Sequence, residues 1–523
     1  MRRRRFLAGM AGASATLAGC TALGNGDDPS DRAPYGSADP DWIDDGDDVD
    51  ANGDEEPPDD EGSEGPTVSL FDEPTVVDFE TAPLTAAVID GSTFTADGLA
   101  VAVDFERPAT AASPATLIAT VANQHSFEQT FRSRRLPGLD SPTMLRRRDP
   151  DRHVVFLAPT PEHPFAETTP TYDRDENGRW RLESTTGEWF PETITLDPEE
   201  TVVGEYVLLG HPDSTEPAIG AGRYRIGRGD GGFTIACWSS ERPGPETTST
   251  FEGVTVPSLP DDQPDPSVPE TGESDENTGT RWFHEATPET AVFLEADTES
   301  ITAPGSITFS LVNHGRDTLQ GNPYHWRLYK LVDGRWLPIE PWGWPMPMGR
   351  LSPGDVHEST LACYAGEPVA CDHARSVGHL GGGRYAYTAG YSGGAESNAH
   401  AAIFDLEAPA VAVDPEDDAV VDRRDEKTVV TLPEYGEGRQ PATMTVTHSS
   451  DDPDQQLLPE QLYRQPFRSL RNTLPAFESG VQTVHLRADR NVVGQPFREA
   501  DTDAHTIRYE NTVFEVSWSL EDE

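Results

Sequence analysis

The 523-residue sequence predicts a mainly β protein: two β-sandwich modules in tandem, followed by a small α+β domain. Three observations carry this. Short alternating runs with β-branched residues recur through the body, as at 115–121 (Ala-Thr-Leu-Ile-Ala-Thr-Val) and 306–312 (Ser-Ile-Thr-Phe-Ser-Leu-Val). Period-two alternation of this kind fits half-buried strands. Gly-, Pro- and Asp-rich turns separate the runs at short, regular spacing, as in a sandwich, and helical periodicity is nearly absent before residue 455.

The chain opens with four arginines and Phe6-Leu7, then small and apolar residues up to Leu17-Ala18-Gly19-Cys20. A short positive region, a short apolar core and a small-residue processing site make residues 1–20 an export signal. The apolar stretch is too short to span a bilayer, which takes about 20 residues, and no later run is long and apolar enough. The arginine run before Phe6-Leu7 resembles a twin-arginine signal, read by the pathway that exports folded proteins. Leu-Ala-Gly-Cys resembles a lipobox. That resemblance implies cleavage before Cys20 and a lipid on its sulfur, hence a membrane partner at the outer cell face.

Residues 21–66 are rich in Asp, Glu, Gly, Pro and Ser. They bury too little to offset their ordering entropy, and like charges extend them, so they are expected to form a disordered acidic tether. Acidic residues number 92 against 39 basic ones, a formal charge of −53, and Lys330 and Lys427 are the only lysines. Such a charge opposes compaction at low ionic strength, whereas molar salt shortens the Debye length to about 3 Å. The composition resembles that of extreme halophiles, in particular haloarchaea. It excludes nucleic acid as a natural partner, since phosphate binding needs clustered Arg and Lys. Cysteine is too scarce for a disulfide scaffold, and the chain has no Asn-X-Ser/Thr acceptor.

The two modules, 67–250 and 281–408, share four landmarks in the same order. A strand ends at Asn123 or Asn313. A hairpin reads Tyr172…Gly178-Arg179-Trp180 or Tyr329…Gly334-Arg335-Trp336, with Asn177-Gly178 or Asp333-Gly334 at its tight turn. Then come Leu196-Asp197-Pro198-Glu199-Glu200 or Leu351-Ser352-Pro353-Gly354-Asp355, and finally Gly222-Arg223-Tyr224 or Gly383-Arg384-Tyr385. The first copy carries a long insertion after Asn123. This order resembles the bacterial immunoglobulin-like domains of secreted proteins over roughly 85–245 and 283–408, and more loosely the sandwich of an intracellular proteinase-inhibitor family. The first copy departs from the pattern in having Glu199 where the turn glycine belongs. The resemblance implies two Ig-like sandwiches, with the repeated Tyr in a corner role.

Residues 251–280 and 409–426 read as linkers. In 427–523 the runs 428–432, 442–447, 481–486 and 506–518 read as strands. Residues 457–477 are the helix candidate, bent or split at Pro466 and ended at Pro475; no family resemblance is evident there.

Candidate chemistry is sparse. Cys363, Cys371, His373 and His379 carry ligand types that suit zinc or copper, though at no standard spacing. Outside the cytoplasm the Cys363/Cys371 pair reads first as a disulfide, then as two thiols, then as a metal site; Met346 and Met348 add slightly to a copper reading but sit more naturally in a core. Trp326, Trp336, Trp342 and Trp344 cluster with Tyr324 and Tyr329. Most are expected inside the sandwich, with Trp342 and Trp344, in a Pro-rich loop, the best binding candidates. Arg132, Arg134, Arg135, Arg146, Arg147 and Arg148 are expected to pair with the chain's own carboxylates. Gly390-Tyr391-Ser392-Gly393-Gly394 matches a nucleophile-elbow pattern, but a strand-like run follows where a helix belongs. Gly227, Gly229 and Gly232 match a dinucleotide pattern that also lacks its helix. His153 and His163 read as surface residues, and His505 and Arg508 as structural. The sequence thus implies a non-catalytic surface lipoprotein, with no cofactor, presenting Ig-like domains to an envelope protein or glycan. A proteinase inhibitor or accessory subunit of a surface hydrolase, and a metal-binding lipoprotein, are the alternatives.

Overall fold

The structure is a computed structural model that describes residues 73–521, apart from short internal stretches of which 261–278 is the longest. The signal with Cys20 and the acidic segment 21–66 lie outside the described residues. The described chain is mainly β, with two Ig-like sandwiches followed by a small α+β domain.

The second sandwich is the more regular. One sheet runs Val292–Ala296, Gly305–Asn313, Val356–Cys363, Arg375–Val377; the other runs Arg281–Trp282, His400–Glu407, Gly383–Ala389, Arg327–Val332, Arg335–Glu340. Alternation puts Ile307, Phe309 and Leu311 on the inner face of one sheet and Tyr385 and Tyr387 on that of the other, all buried. Phe309 stacks on Tyr387 with ring centroids 4.1 Å apart.

Three of the four landmarks do identical work in both modules. Asn123 and Asn313 are fully buried at strand ends. Their Nδ2 atoms donate four residues onward, to Phe127 O and Asp317 O (both 3.0 Å), and across to Leu196 O (3.3 Å) and Leu351 O (2.9 Å). Their Oδ1 atoms accept from His125 N and Gly315 N, both at 3.0 Å. One amide thus satisfies the turn and ties it to the incoming Leu-x-Pro strand. Tyr224 and Tyr385, also fully buried, donate their hydroxyls four residues back, to Gly220 O (2.9 Å) and Gly381 O (2.6 Å), as the corner role requires. At the Leu-x-Pro turn, Gly354 has φ +81° and Glu199 has φ +59°, so Glu199 departs in residue type and not in conformation.

The hairpin landmark differs. In the second module the strand Arg327–Val332 pairs directly with the Tyr385 strand. In the first, Met144–Arg147 takes that place beside Tyr224, and Val154–Pro159 pairs both with it and with Thr201–Gly210. The residues read as an insertion therefore build the sandwich and join its two faces into one rolled sheet. The Tyr172–Arg174/Trp180–Leu182 hairpin lies off that path, paired with it at Arg181↔Gly210 and tied to the 110–111 turn by Trp180 Nε1 donating to Thr110 O and Arg174 to Ala111 O, both at 2.9 Å. Its first strand is exposed throughout, while Leu182 of its second strand is buried in the sandwich core with Trp180 packed against it.

The C-terminal domain is a seven-stranded mixed sheet whose apolar face is covered by short helical turns. The expected helix over 457–477 breaks into Pro459–Leu462, Gln465–Phe467, Arg468–Arg471 and Leu474–Ala476, with a proline in the first, second and fourth pieces. Leu462, Leu470 and Leu474 are buried as one face. The segments read as linkers are structured at their ends. Phe251 and Leu259 pack under Trp282 and Trp336, whose indole donates to Pro257 O at 2.9 Å, and Val420–Arg424 is an edge strand of the last sheet.

Two seams join the units. Between the sandwiches, Trp238 stacks on His314 (5.5 Å, 4°), Arg223 pairs with Asp355 at 2.7 Å and Arg316 with Asp78. A Cβ on Gly354 would stand 2.5 Å from Ala236 Cβ. Between the second sandwich and the last domain, Lys330 pairs with Glu460, both largely buried. Glu460 also accepts from Gly381 N at 3.2 Å. Arg464 pairs with Glu340 at 3.0 Å and donates to Gly378 O at 2.8 Å, and Gln461 donates to Pro338 O at 2.8 Å. The rings of Tyr463 and His379 stack 3.6 Å apart.

His163 is buried under Tyr206 and Phe190, where the sequence reading has a surface residue; His153 lies outside the described residues. Burial holds the imidazoles of His163 and of His400, which also lies near Arg281, down to about 4. Both rings stay neutral in the fold, whereas unfolded histidine titrates near 6.5. Below that pH the unfolded chain takes up protons that the fold refuses, so stability falls between about pH 6.5 and 4. In denaturant titrations in molar KCl, His163→Phe is expected to reduce the slope of stability against pH in that window by up to about 1.4 kcal/mol per unit; an unchanged slope contradicts it. The turn pair gives a second expectation. Glu199→Gly relieves a left-handed side chain and raises stability by up to about 1 kcal/mol. Gly354→Ala strains φ and wedges the seam, costing roughly 1–3 kcal/mol. Equal and small effects at both positions would contradict the assignment.

Candidate functional site

The four residues that suggested a disulfide or a metal do not converge. Cys363 is buried in its strand opposite Gly305 and Val377, Cys371 is half-buried, and neither is disulfide-bonded in the structure. His373 is exposed. His379 has φ +50°, stacks on Tyr463 and lies 3.1 Å from Glu367 Oε1 through Nε2. Among the described residues no group of three or more potential ligands is gathered for a metal.

The two glycine patterns fall in β-hairpins. Gly227 pairs with Gly232 between the strands Gly222–Arg228 and Gly231–Ser239, with Gly229 outside the described residues, so no helix follows to receive a phosphate. Ser392 is likewise outside them. The strand Gly383–Ala389 before it pairs antiparallel with His400–Glu407 after it, which is hairpin topology and not a strand–helix elbow. Arg132 and Arg134 are exposed, Arg146 and Arg147 lie on an inner strand of the rolled sheet, and Arg148 is not described. His505 and Arg508 lie on the strand Ala504–Tyr509.

The aromatic cluster separates into core and surface. Tyr329 and Trp336 are buried. Trp326 is half-buried, stacked on Tyr387 and capped by Arg375 at 5.4 Å. The surface part is the loop 341–348, between the strands Arg335–Glu340 and Gly349–Leu351. Pro341, Pro345 and Pro347 fix φ and remove three donors, so this stretch cannot continue a ladder. Its base is pinned. Asn322 Nδ2 donates to Pro345 O at 2.6 Å, Trp342 Nε1 to Ile339 O at 3.2 Å, and Gly349–Leu351 pairs with Leu319–Gly321. Trp344 stands edge-on to His325 at 4.2 Å, with Arg327 4.9 Å above its ring. Trp342 meets Phe467 of the last domain edge-on at 5.0 Å. The tip is open: Met346 is 84% exposed, Met348 73%, Trp342 43% and neighbouring Tyr324 54%. The sequence reading places the two methionines in a core; their alternation with Pro345 and Pro347 is the signal that they cannot enter a strand. It also gives no sign of Glu460 or Arg464, whose role exists only once two domains meet.

No family model and no curated protein matches the chain. Among solved structures, the chain is similar to the native conformation of alpha-2-macroglobulin from E. coli, at 9% identity over 84% of this chain and 25% of that one, with a TM-score of 0.12. The chain thus spans about a quarter of that protein, and a likeness of this degree assigns nothing.

Burial pushes the thiols of Cys237 and Cys363 up to about 12, which suppresses the reactive thiolate. In a Cys20→Ser chain, thiol titration is expected to count three groups in denaturant and one fast group, Cys371, in the native state. A single thiol in denaturant would restore the disulfide; metal released on modification would restore the metal site.

Proposed function

We propose that the chain is a lipid-anchored, non-catalytic protein of the outer cell face, whose second sandwich presents the loop 341–348 as a contact surface. The observation that carries this is the loop itself: an apolar tip held out on a pinned base. Elsewhere the candidate catalytic and metal-binding residues are dispersed, buried or set in hairpins. The lipobox-like Leu17-Ala18-Gly19-Cys20 supplies the anchor, and the acidic stretch after it supplies reach.

Two measurements test the two halves of this reading. The intact mass of the membrane-extracted protein is expected to correspond to a chain that starts at Cys20 and carries a lipid; a chain starting at Met1, or an unmodified Cys20, sinks the anchor. A Cys20→Ser chain added to washed envelopes in molar KCl is expected to be retained, and Met346→Asp with Met348→Asp to weaken retention about tenfold or more. Equal retention of parent and variant sinks the contact surface.

A further inference from the structure

Resting on the reading of 341–348 as a contact surface, we infer that its partner is a lipid bilayer: the loop is a wedge that enters the headgroup region of a membrane. Ten large apolar side chains are exposed among the described residues. Tyr324, Trp342, Met346 and Met348 belong to this loop and the turn beside it; the other six are distributed over separate elements. Large exposed apolar side chains gathered in one place mark an interaction site.

The shape selects the kind of partner. The patch is most exposed at its tip, at Met346 and Met348, so its complement is either a groove made to fit or a medium that yields. The composition selects between them. Trp and Tyr place an apolar ring and a polar edge at the level of lipid headgroups, and Met supplies a flexible apolar side chain below it. Proline at 341, 345 and 347 leaves three fewer N–H groups to be stripped of water, which matters most in a medium that offers no hydrogen bonds.

Charge points the same way. At the chain average of 92 acidic residues in 523, the 29 residues of 318–332 and 341–354 would carry about five carboxylates; they carry none. The two runs meet at the loop base through the pairing of Leu319–Gly321 with Gly349–Leu351. The carboxylates that bound the second run, Glu340 and Asp355, are each paired with an arginine, Arg464 and Arg223. Arg327 lies against Trp344, and Arg350 is exposed at the loop's end, so the charges carried by the two runs suit phosphate headgroups.

The test uses the full-length Cys20→Ser chain, which has no lipid of its own, and phosphatidylglycerol vesicles in molar KCl, where charge is screened beyond about 3 Å. The chain is expected to sediment with the vesicles and its tryptophan emission to shift to the blue and be quenched by acyl-chain quenchers. M346D/M348D, at two exposed positions, is expected to lower partition about tenfold or more with near-ultraviolet dichroism unchanged. W342A, which also touches Phe467, provides the second variant and is expected to lose part of the blue shift. Failure of the parent to sediment overturns the lipid inference, as does equal partition of parent and M346D/M348D. Loop-dependent retention on envelopes that protease treatment abolishes, with no vesicle binding, overturns it in favour of a protein partner and leaves the contact surface standing. Loop-independent behaviour on both vesicles and envelopes removes both readings.

Discussion

The ion pair between Lys330 and Glu460 holds the second sandwich against the last domain. The chain has two lysines among 523 residues, and one of them is buried there. Taking two charges out of water is expensive, and the pair is tolerable because its surroundings complete it. Glu460 also receives the Gly381 amide, and the next turn of the same helical segment brings Arg464 to Glu340 and to Gly378 O. Burial raises the Glu340 carboxyl above the usual range, while the Arg464 guanidinium pulls it back. Losing one partner leaves the other charge stranded, at a cost of roughly 3–5 kcal/mol. In an arrangement of this kind the attraction is largely offset by the desolvation of the charges.

Within each sandwich a comparable constraint is met by neutral groups. The Asn123 and Asn313 amides and the Tyr224 and Tyr385 hydroxyls satisfy backbone groups at the points where the chain changes direction. These positions are buried and unforgiving, because an unpaired polar group in a core costs about 1–3 kcal/mol. The choice of strand partner carries no such demand, and there the two modules diverge: one recruits Met144–Arg147 beside its Tyr strand, the other Arg327–Val332.

The legibility of the sequence follows that division. The Asn, Leu-x-Pro and Gly-Arg-Tyr landmarks are visible because each is a local solution fixed by residue type, and they placed both sandwiches. Alternation gave the strands of the last domain, and Pro466 gave the break in its helical segment. The rolled sheet of the first module escaped because strand partners are chosen by long-range pairing, which a hairpin motif does not encode. The Trp342–Trp344 loop was marked by its prolines, yet the direction of Met346 and Met348 depends on which strands flank them. His163 was misjudged because a histidine beside a strand looks the same whether solvent or Tyr206 covers it. The seam of Lys330, Glu460 and Arg464 was invisible, since each member sits in a different segment.

Clamped at both seams, the second sandwich has little freedom to turn against its neighbours, and the loop 341–348 is pinned to it by Asn322, Ile339 and the Gly349–Leu351 strand. Its backbone is therefore held in place before any encounter. Ordering a flexible segment on contact costs about 0.5–1.5 kcal/mol for each immobilised side chain. A tip supported in advance avoids most of that loss in its backbone, and meets whatever it touches from one fixed angle.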